Sequence, residues 1–385
     1  MKTSGPFQFN FPIGYEKFHK SQLFNFQLNR PYALGYARFE DLKSAGTRIN
    51  SFKDWKREML FQAKKAYSEE RLLNAAFYFR AAEFYIKSTD PEKNILYSKF
   101  TDLFYQVFSK DGIEKYSVPY NGTLLPAIKI KSASEKKGTI VIHGGFDSFM
   151  EEFYSMMRYF SNHGYEVIGF EGPGQGAALR RNGLPISYEW EKPVKAVLDY
   201  FDLDDVTLLG LSMGGWLCLR AAAFESRINR VIANGHAIDY MKSMPSFMRI
   251  IHLWFMTHFR SSMNKMAEWK FERREGMASW MVDQLKFITQ KSKPLDAMGL
   301  YLDLNDRNIK SELVKQDVLI LSGSKDHFVP SKMHDMQLKA LVNAKSVTGR
   351  IFTESDQAQN HCQIGNIELS LRTMLEWIEQ KSGRN

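Results

Sequence analysis

Cysteine is almost missing from this chain of 385 residues. Only Cys218 and Cys362 are present, so no disulfide framework can carry the fold, and a reducing compartment, the cytoplasm, is the natural expectation. Long hydrophobic runs are lacking too. The most apolar stretch, Ile250 to Phe259, is interrupted by His252 and His258 and falls well short of the ~20 residues that span a bilayer, so no membrane partner is expected. Met1 to Tyr15 contains Pro6, Asn10 and Pro12 but no apolar core segment, which argues against a secretory signal. Clusters of one charge are also absent. The formal charge is +9, yet basic pairs such as Lys64 and Lys65, Arg180 and Arg181, and Arg273 and Arg274 lie scattered among acids. Without a basic stripe, nucleic acid is not an expected partner. What remains is globular composition, 44% hydrophobic and 25% charged, in a chain longer than the ~100–200 residues of an average domain.

Organisation follows from changes of period. Up to about residue 112 the signals are helical: Ser51 can cap a helix through Trp55, Leu60 and Ala63, Leu72 to Phe84 has helical spacing, and Asp90-Pro91 can start another through Phe100 and Phe104. No second copy of this pattern recurs at a fixed period, so the segment reads as a helical appendage and not a solenoid. Then Ile113 to Val118 and Leu124 to Ile130 flank Asn121-Gly122, a dipeptide suited to a tight hairpin turn. Further short β-rich runs alternate with helical stretches: Thr139 to Ile142, Glu166 to Phe170, Val206 to Leu209, Arg230 to Ala233, Val318 to Leu321 and Ser346 to Phe352. Continuous apolar runs separated by helices predict an α/β class with a mostly parallel sheet covered on both faces. The alternation breaks between about His236 and Asp306, which holds Met241, Met244, Met248, Met256, Met263, Met266, Met277, Met281 and Met298 together with Trp254, Trp269 and Trp280. A helical insertion there would cover the sheet edge where α/β proteins bind ligands, and its methionines suit an adaptable apolar pocket, although packing within the insertion is their commoner use. The expected division is a helical N-terminal region over 1–112, a first core part over 113–235, a cap insertion over 236–312 and a second core part over 313–385.

The strongest chemical signal is Gly210-Leu211-Ser212-Met213-Gly214, which follows one apolar run and precedes a helical one. Gly-x-Ser-x-Gly between strand and helix lets a serine project from a sharp turn where larger side chains would collide. A serine hydroxyl needs a base and an orienting acid. His361 lies in the loop Gln357 to Gly365 after the last strand, where a base should sit, and His334 is the reserve. His252 and His258 fall in the insertion, His143 at a strand end reads as structural, and His327 directly follows the best acid. That acid is Asp326, just after Val318 to Leu321, with Asp356 as runner-up. For the oxyanion, His143-Gly144-Gly145-Phe146 follows a strand, so the Met213 amide with that of Phe146 or Gly145 is the expected donor pair. No His or Cys cluster has ligand spacing, so neither metal nor organic cofactor is expected.

These residues, in the order Ser212, Asp326, His361, give the chain from Ile113 onward, insertion excluded, the look of an α/β-hydrolase. Gly144-Gly145-Phe146-Asp147-Ser148 with Glu151-Glu152, followed by Glu171-Gly172-Pro173-Gly174-Gln175-Gly176, resembles the branch that contains 2,6-dihydroxypseudooxynicotine hydrolase, fungal polyketide-shortening hydrolases and bacterial acylaminoacyl-peptidase-like proteins. The resemblance implies a helical N-terminal region, a helical cap, a Ser, His, Asp triad and, in the carbon-carbon hydrolases of the branch, an assisting acid near the Gly-Gly turn. Glu152 is the position carried over for that acid, against the ordinary role of a solvated carboxylate in a first helical turn. Glu171 is assigned to structure. True acylaminoacyl peptidases carry a β-propeller that the N-terminal region cannot form, so peptidase activity is not expected. The expected function is serine-dependent hydrolysis of a carbonyl-containing small molecule with an apolar part, at an ester, amide or carbon-carbon bond. The alternative is a binding or regulatory protein on a hydrolase fold, and by analogy the N-terminal helices are candidates to support a homodimer.

Overall fold

The computed structural model describes residues 8–383 apart from Met244 and Arg274. The first seven residues of the N-terminal segment, Met244 and Arg274 therefore lie outside the described residues, as do the side chains of His252 and Met256. Five helices come first: α1 (Gln22–Ala33), α2 (Phe39–Gly46), α3 (Phe52–Ser68), α4 (Leu72–Phe84) and α5 (Glu92–Val107). The expected starts hold for two of them. Ser51 caps α3 by accepting from the Asp54 amide, and Pro91 precedes α5. α1 carries no such signal, because its buried positions include Asn25, Gln27 and Asn29, and no side chain caps it. Asn25 and Asn29 instead bond the preceding chain, Asn29 accepting from the Glu16 amide at 2.8 Å and Asn25 from that of His19 at 2.9 Å. Polar residues spent on loop fixation erase the apolar period that marks a helix in sequence.

Strands β1 (Glu114–Tyr120) and β2 (Thr123–Ile130) form the hairpin, with Asn121 and Gly122 at φ of 47° and 75° as its turn requires. Then follow β3 (Gly138–His143), α6 (Tyr154–Asn162), β4 (Tyr165–Phe170), α7 (Gly176–Arg180), α8 (Glu191–Tyr200), β5 (Val206–Leu211), α9 (Met213–Ala222) and β6 (Ile228–Asn234). Four helices, α10 (Ser246–His258), α11 (Arg260–Arg273), α12 (Met277–Thr289) and α13 (Pro294–Asp303), separate β6 from β7 (Asp317–Gly323). The chain ends with α14 (Lys332–Ala340), β8 (Ser346–Phe352) and α15 (Ile367–Lys381). One eight-stranded sheet has the order β1-β2-β4-β3-β5-β6-β7-β8. β1 and β2 pair antiparallel with each other and β2 with β4, whereas β4 through β8 are parallel.

Side-chain alternation along the central strands feeds two cores. Ile140, Ile142, Leu209, Leu211, Leu319 and Leu321 enter one, and Val141, Val206, Leu208, Val231, Val318 and Ile320 the other. Both faces are thus buried, which is why these strands read as unbroken apolar runs. The first core also contains Leu28, Trp55, Met59, Tyr78, Phe100 and Phe104 of the N-terminal helices. That segment is therefore no appendage: it shares one hydrophobic core with the face of the sheet that carries α6 and α15. Burying a side chain the size of Phe100 is worth about 1.5–3 kcal/mol, so such shared packing fixes the helices against the sheet.

Candidate active site

Ser212 directly follows β5 and precedes α9, at φ 58° and ψ −128°, a conformation that L residues rarely adopt. The neighbouring glycines make it possible. A Cβ on Gly210 would run into the Gly214 carbonyl, one on Gly214 would come within 2.5 Å of the Gly144 carbonyl, and one on Gly145 within 2.7 Å of the Met213 nitrogen. Met213 is the first residue of α9, so its amide has no acceptor inside the helix, and the Gly144-Gly145 turn is packed against it.

The structure brings Ser212, His361 and Asp326 together from positions as far as 149 residues apart. His361 Nε2 lies 2.8 Å from Ser212 Oγ, and its Nδ1 lies 2.6 Å from Asp326 Oδ2. The other Asp326 oxygen accepts from the Phe328 and Val329 amides at 2.8 and 3.0 Å, which locks the carboxylate. Phe328 packs edge-on to the His361 ring at 5.0 Å. Burial works against charge on His361, but the Asp326 carboxylate, helped by the adjacent Cys362 sulfur, overrides it and holds the imidazole well above the ordinary histidine range.

The remaining candidates sit elsewhere. His334 faces Ser322 Oγ at 2.9 Å, and Asp356 closes the turn at Thr353 by accepting its amide at 2.8 Å. His143 is buried against Trp190, whose Nε1–H donates to its Nε2 at 3.2 Å, and burial pushes it down to about 4. His327 lies against Phe26 and is also held down to about 4 by burial. Glu171 does hold structure, accepting the Ala177 and Met150 amides at 2.5 and 3.2 Å. Burial, with the nearby Glu151, raises it to about 8.

Glu152 departs from both expectations. It is buried, not solvated, and it is not on the wall of the cavity at Ser212. Its oxygens are taken by Arg80 at 3.0 Å, by Arg30 at 3.1 Å and by the Phe149 amide at 2.9 Å. The carboxylate that does face the cavity is Asp147, paired with Arg30 at 3.2 Å. Arg30 carried no signal in the sequence, because α1 itself carried none. The Glu171 to Gly176 run has a further role that no local sequence pattern marks: Gln175 Nε2–H donates to the carbonyls of Gly144 at 2.7 Å and Gly145 at 3.3 Å, and so holds the turn beside Met213.

The cavity over Ser212 measures about 200 Å³. Its wall is mostly apolar and includes Phe26 and Arg30 of α1 with Leu34 just after it, Phe146 and Asp147 after β3, and Met277, Trp280 and Met281 of α12. Tyr240 and Tyr301 stack at 5.5 Å on another side. Of the nine methionines in the insertion, only Met277 and Met281 reach this wall among the described residues, while Met298 packs against the second core and Met263 against Ala267 and Leu295. Among the described residues no three His, Cys, Asp or Glu side chains are grouped so as to hold a metal ion, and no helix is long and apolar enough to cross a membrane.

A mostly parallel eight-stranded sheet with a serine at the strand-to-helix turn after β5 defines the class. The chain belongs to the alpha/beta hydrolase fold family, whose model matches residues 139–347. It is 28% identical to the hydrolase LUC6 of a Fusarium species, over 81% of this chain and 80% of that protein. It is 29% identical to the 20-hydroxy-prefusarin hydrolase FUS2 of Gibberella moniliformis, over 71% of each. Its fold is similar to the crystal structure of 2,6-dihydroxy-pseudo-oxynicotine hydrolase, with a TM-score of 0.63 at 20% identity over 92% of this chain and 94% of that one. They match the branch of hydrolases that the sequence resembles, and the protein is a hydrolase of that fold.

Proposed function

We propose that the protein is a serine hydrolase that cleaves a bond at the carbonyl carbon of a small molecule with an apolar part, an ester, an amide or a carbon-carbon bond, through an acyl-enzyme on Ser212. The observation that carries this reading is the relay Ser212 Oγ, His361 Nε2, His361 Nδ1, Asp326 Oδ2, with steps of 2.8 and 2.6 Å, opening on a largely apolar cavity. In the first half-reaction Ser212 Oγ attacks the carbonyl carbon while its proton passes to His361 Nε2. Asp326 stabilises the resulting imidazolium without taking the proton. The Met213 amide, with that of Phe146 or Gly145, would donate to the oxyanion. His361 then gives its proton to the leaving group, and water, activated by the same imidazole, releases the acid and restores Ser212. No metal or organic cofactor takes part in this scheme.

The test is intact-mass spectrometry after incubation with a fluorophosphonate. One stoichiometric adduct is expected on the wild-type protein and none on Ser212→Ala. A folded protein that takes no adduct would instead favour the reading as a binding or regulatory protein.

The pH dependence follows from the state of His361. Only the neutral imidazole can accept the serine proton, and Asp326 raises its affinity for protons. The kcat/KM for an activated ester should therefore fall as pH drops, with the midpoint of the acidic limb above 6.5, the ordinary histidine value. A limb centred below that value would remove the assignment of His361 as the base.

A further inference from the structure

α10 is rich in large apolar residues: eight of its 13 are Phe, Met, Ile, Leu or Trp. A helix of that kind is ordinarily enclosed. Here the ridge Phe247, Ile250, Ile251 and Trp254, at spacings of three and four residues, is 50–66% exposed. Met266 and Trp269, one ridge of α11, are 60% and 58% exposed. These side chains form much the densest group of large exposed apolar residues in the described chain.

The charge around them has one dominant sign. α10 holds no acid, and from Tyr240 to Ala267 the sequence has no Asp or Glu while it carries Lys242, Arg249, Arg260 and Lys265. Lys242 is bonded to Asp306 and Arg260 to Asp296, both from outside this stretch. Across α10 and α11 together the balance is Arg249, Arg260, Lys265, Lys270 and Arg273 against Glu268 and Glu272. A second copy of the chain related by a two-fold axis would set this acid-free helix against itself, cation toward cation. An anionic lipid surface answers both features, because it takes the apolar ridge at the acyl boundary and the cations among its headgroups. A helix of 13 residues is about 20 Å long, enough to lie in that plane and too short to span.

We propose that α10 and α11 form a peripheral docking face for anionic lipid surfaces. The face adjoins the cavity: Tyr240, on the cavity wall, begins the turn Tyr240–Ser243 that leads into α10, and α11 packs on α12 and α13, which contribute Trp280 and Tyr301. Docking would bring the helical side of the cavity to the lipid, a source of apolar substrate. The proposal does not depend on the hydrolytic reading.

The experiment is co-sedimentation of the full chain with vesicles of phosphatidylglycerol and phosphatidylcholine or of phosphatidylcholine alone. Binding to the anionic vesicles is expected to exceed that to neutral ones at least tenfold at low salt and to fall severalfold in 0.5 M salt, on the order expected for screened headgroup contacts. The double substitution Phe247→Glu and Ile250→Glu should reduce anionic binding by about tenfold or more, with the melting temperature and fluorophosphonate labelling unchanged. Equal sedimentation with both vesicle types, binding that survives the double substitution, or a dimer in analytical ultracentrifugation that the substitution dissociates would overturn it.

Discussion

Ser212→Ala is expected to lower kcat on any accepted substrate by about 10⁴-fold or more, with KM little changed. The hydroxyl makes one contact that matters, the 2.8 Å approach to His361 Nε2, and it caps no helix amide. Its removal therefore deletes the nucleophile without opening a core cavity, and thermal stability should hold within about 1 kcal/mol. His361→Ala should cost a similar factor, and the double variant little more than either alone, because the two groups act as one unit. Turnover by Ser212→Ala near the wild-type rate would sink the mechanism, whatever the substrate proves to be.

Glu83→Gln should produce the largest loss of stability. Glu83 is buried on α4, with Oε1 at 2.9 Å from Lys93 Nζ and 2.5 Å from Arg180 and Oε2 at 2.7 Å from Arg80. Burial opposes its ionisation, but those three cations override it and hold the carboxyl down at about 2. Neutralising it leaves Lys93, Arg80 and Arg180 buried with too little counter-charge, a defect worth about 3–5 kcal/mol. In a chain of this size that corresponds to a fall in melting temperature of roughly 4–6 °C. The penalty should shrink toward alkaline pH, because burial already lowers Lys93 below its ordinary value and an unpaired Lys93 sheds its proton more readily still. In the wild type the same pairing has an acid signature. A carboxyl whose folded value is about 2 against an ordinary 4.5 contributes stability that is complete above 4.5 and is lost as pH falls through that range. A melting temperature for Glu83→Gln within a degree or two of wild type would show that the cluster contributes little net stability.

The buried ions join α4 and α5 to α7, since Arg180 belongs to the sheet-bearing part of the chain and Lys93 and Glu83 to the N-terminal helices. None of this is legible in sequence. Arg180-Arg181 looks there like an ordinary surface pair, and the pattern of α4 shows apolar spacing without the Arg80 and Glu83 charges it encloses. Glu152 illustrates the same limit. Its position after the Gly-Gly turn invited a chemical role, and only the arrival of Arg30 and Arg80 from the N-terminal helices decides that its charge is spent on packing.

The eight strands, the hairpin at Asn121-Gly122, the starts of α3 and α5, the glycine-flanked serine and the order of Ser212, Asp326 and His361 were legible from the sequence alone. Each depends on sterics or periodicity acting over a few residues, or on motif order along the chain, and such constraints are written locally. The cavity wall is of another kind. Arg30 meets Asp147 across 117 residues, and both lie on that wall. That α1 lines the cavity, that Asp147 rather than Glu152 faces it, and that α10 turns its apolar ridge outward were decided only by the tertiary structure, because contacts between distant segments leave no period or spacing in either segment by itself.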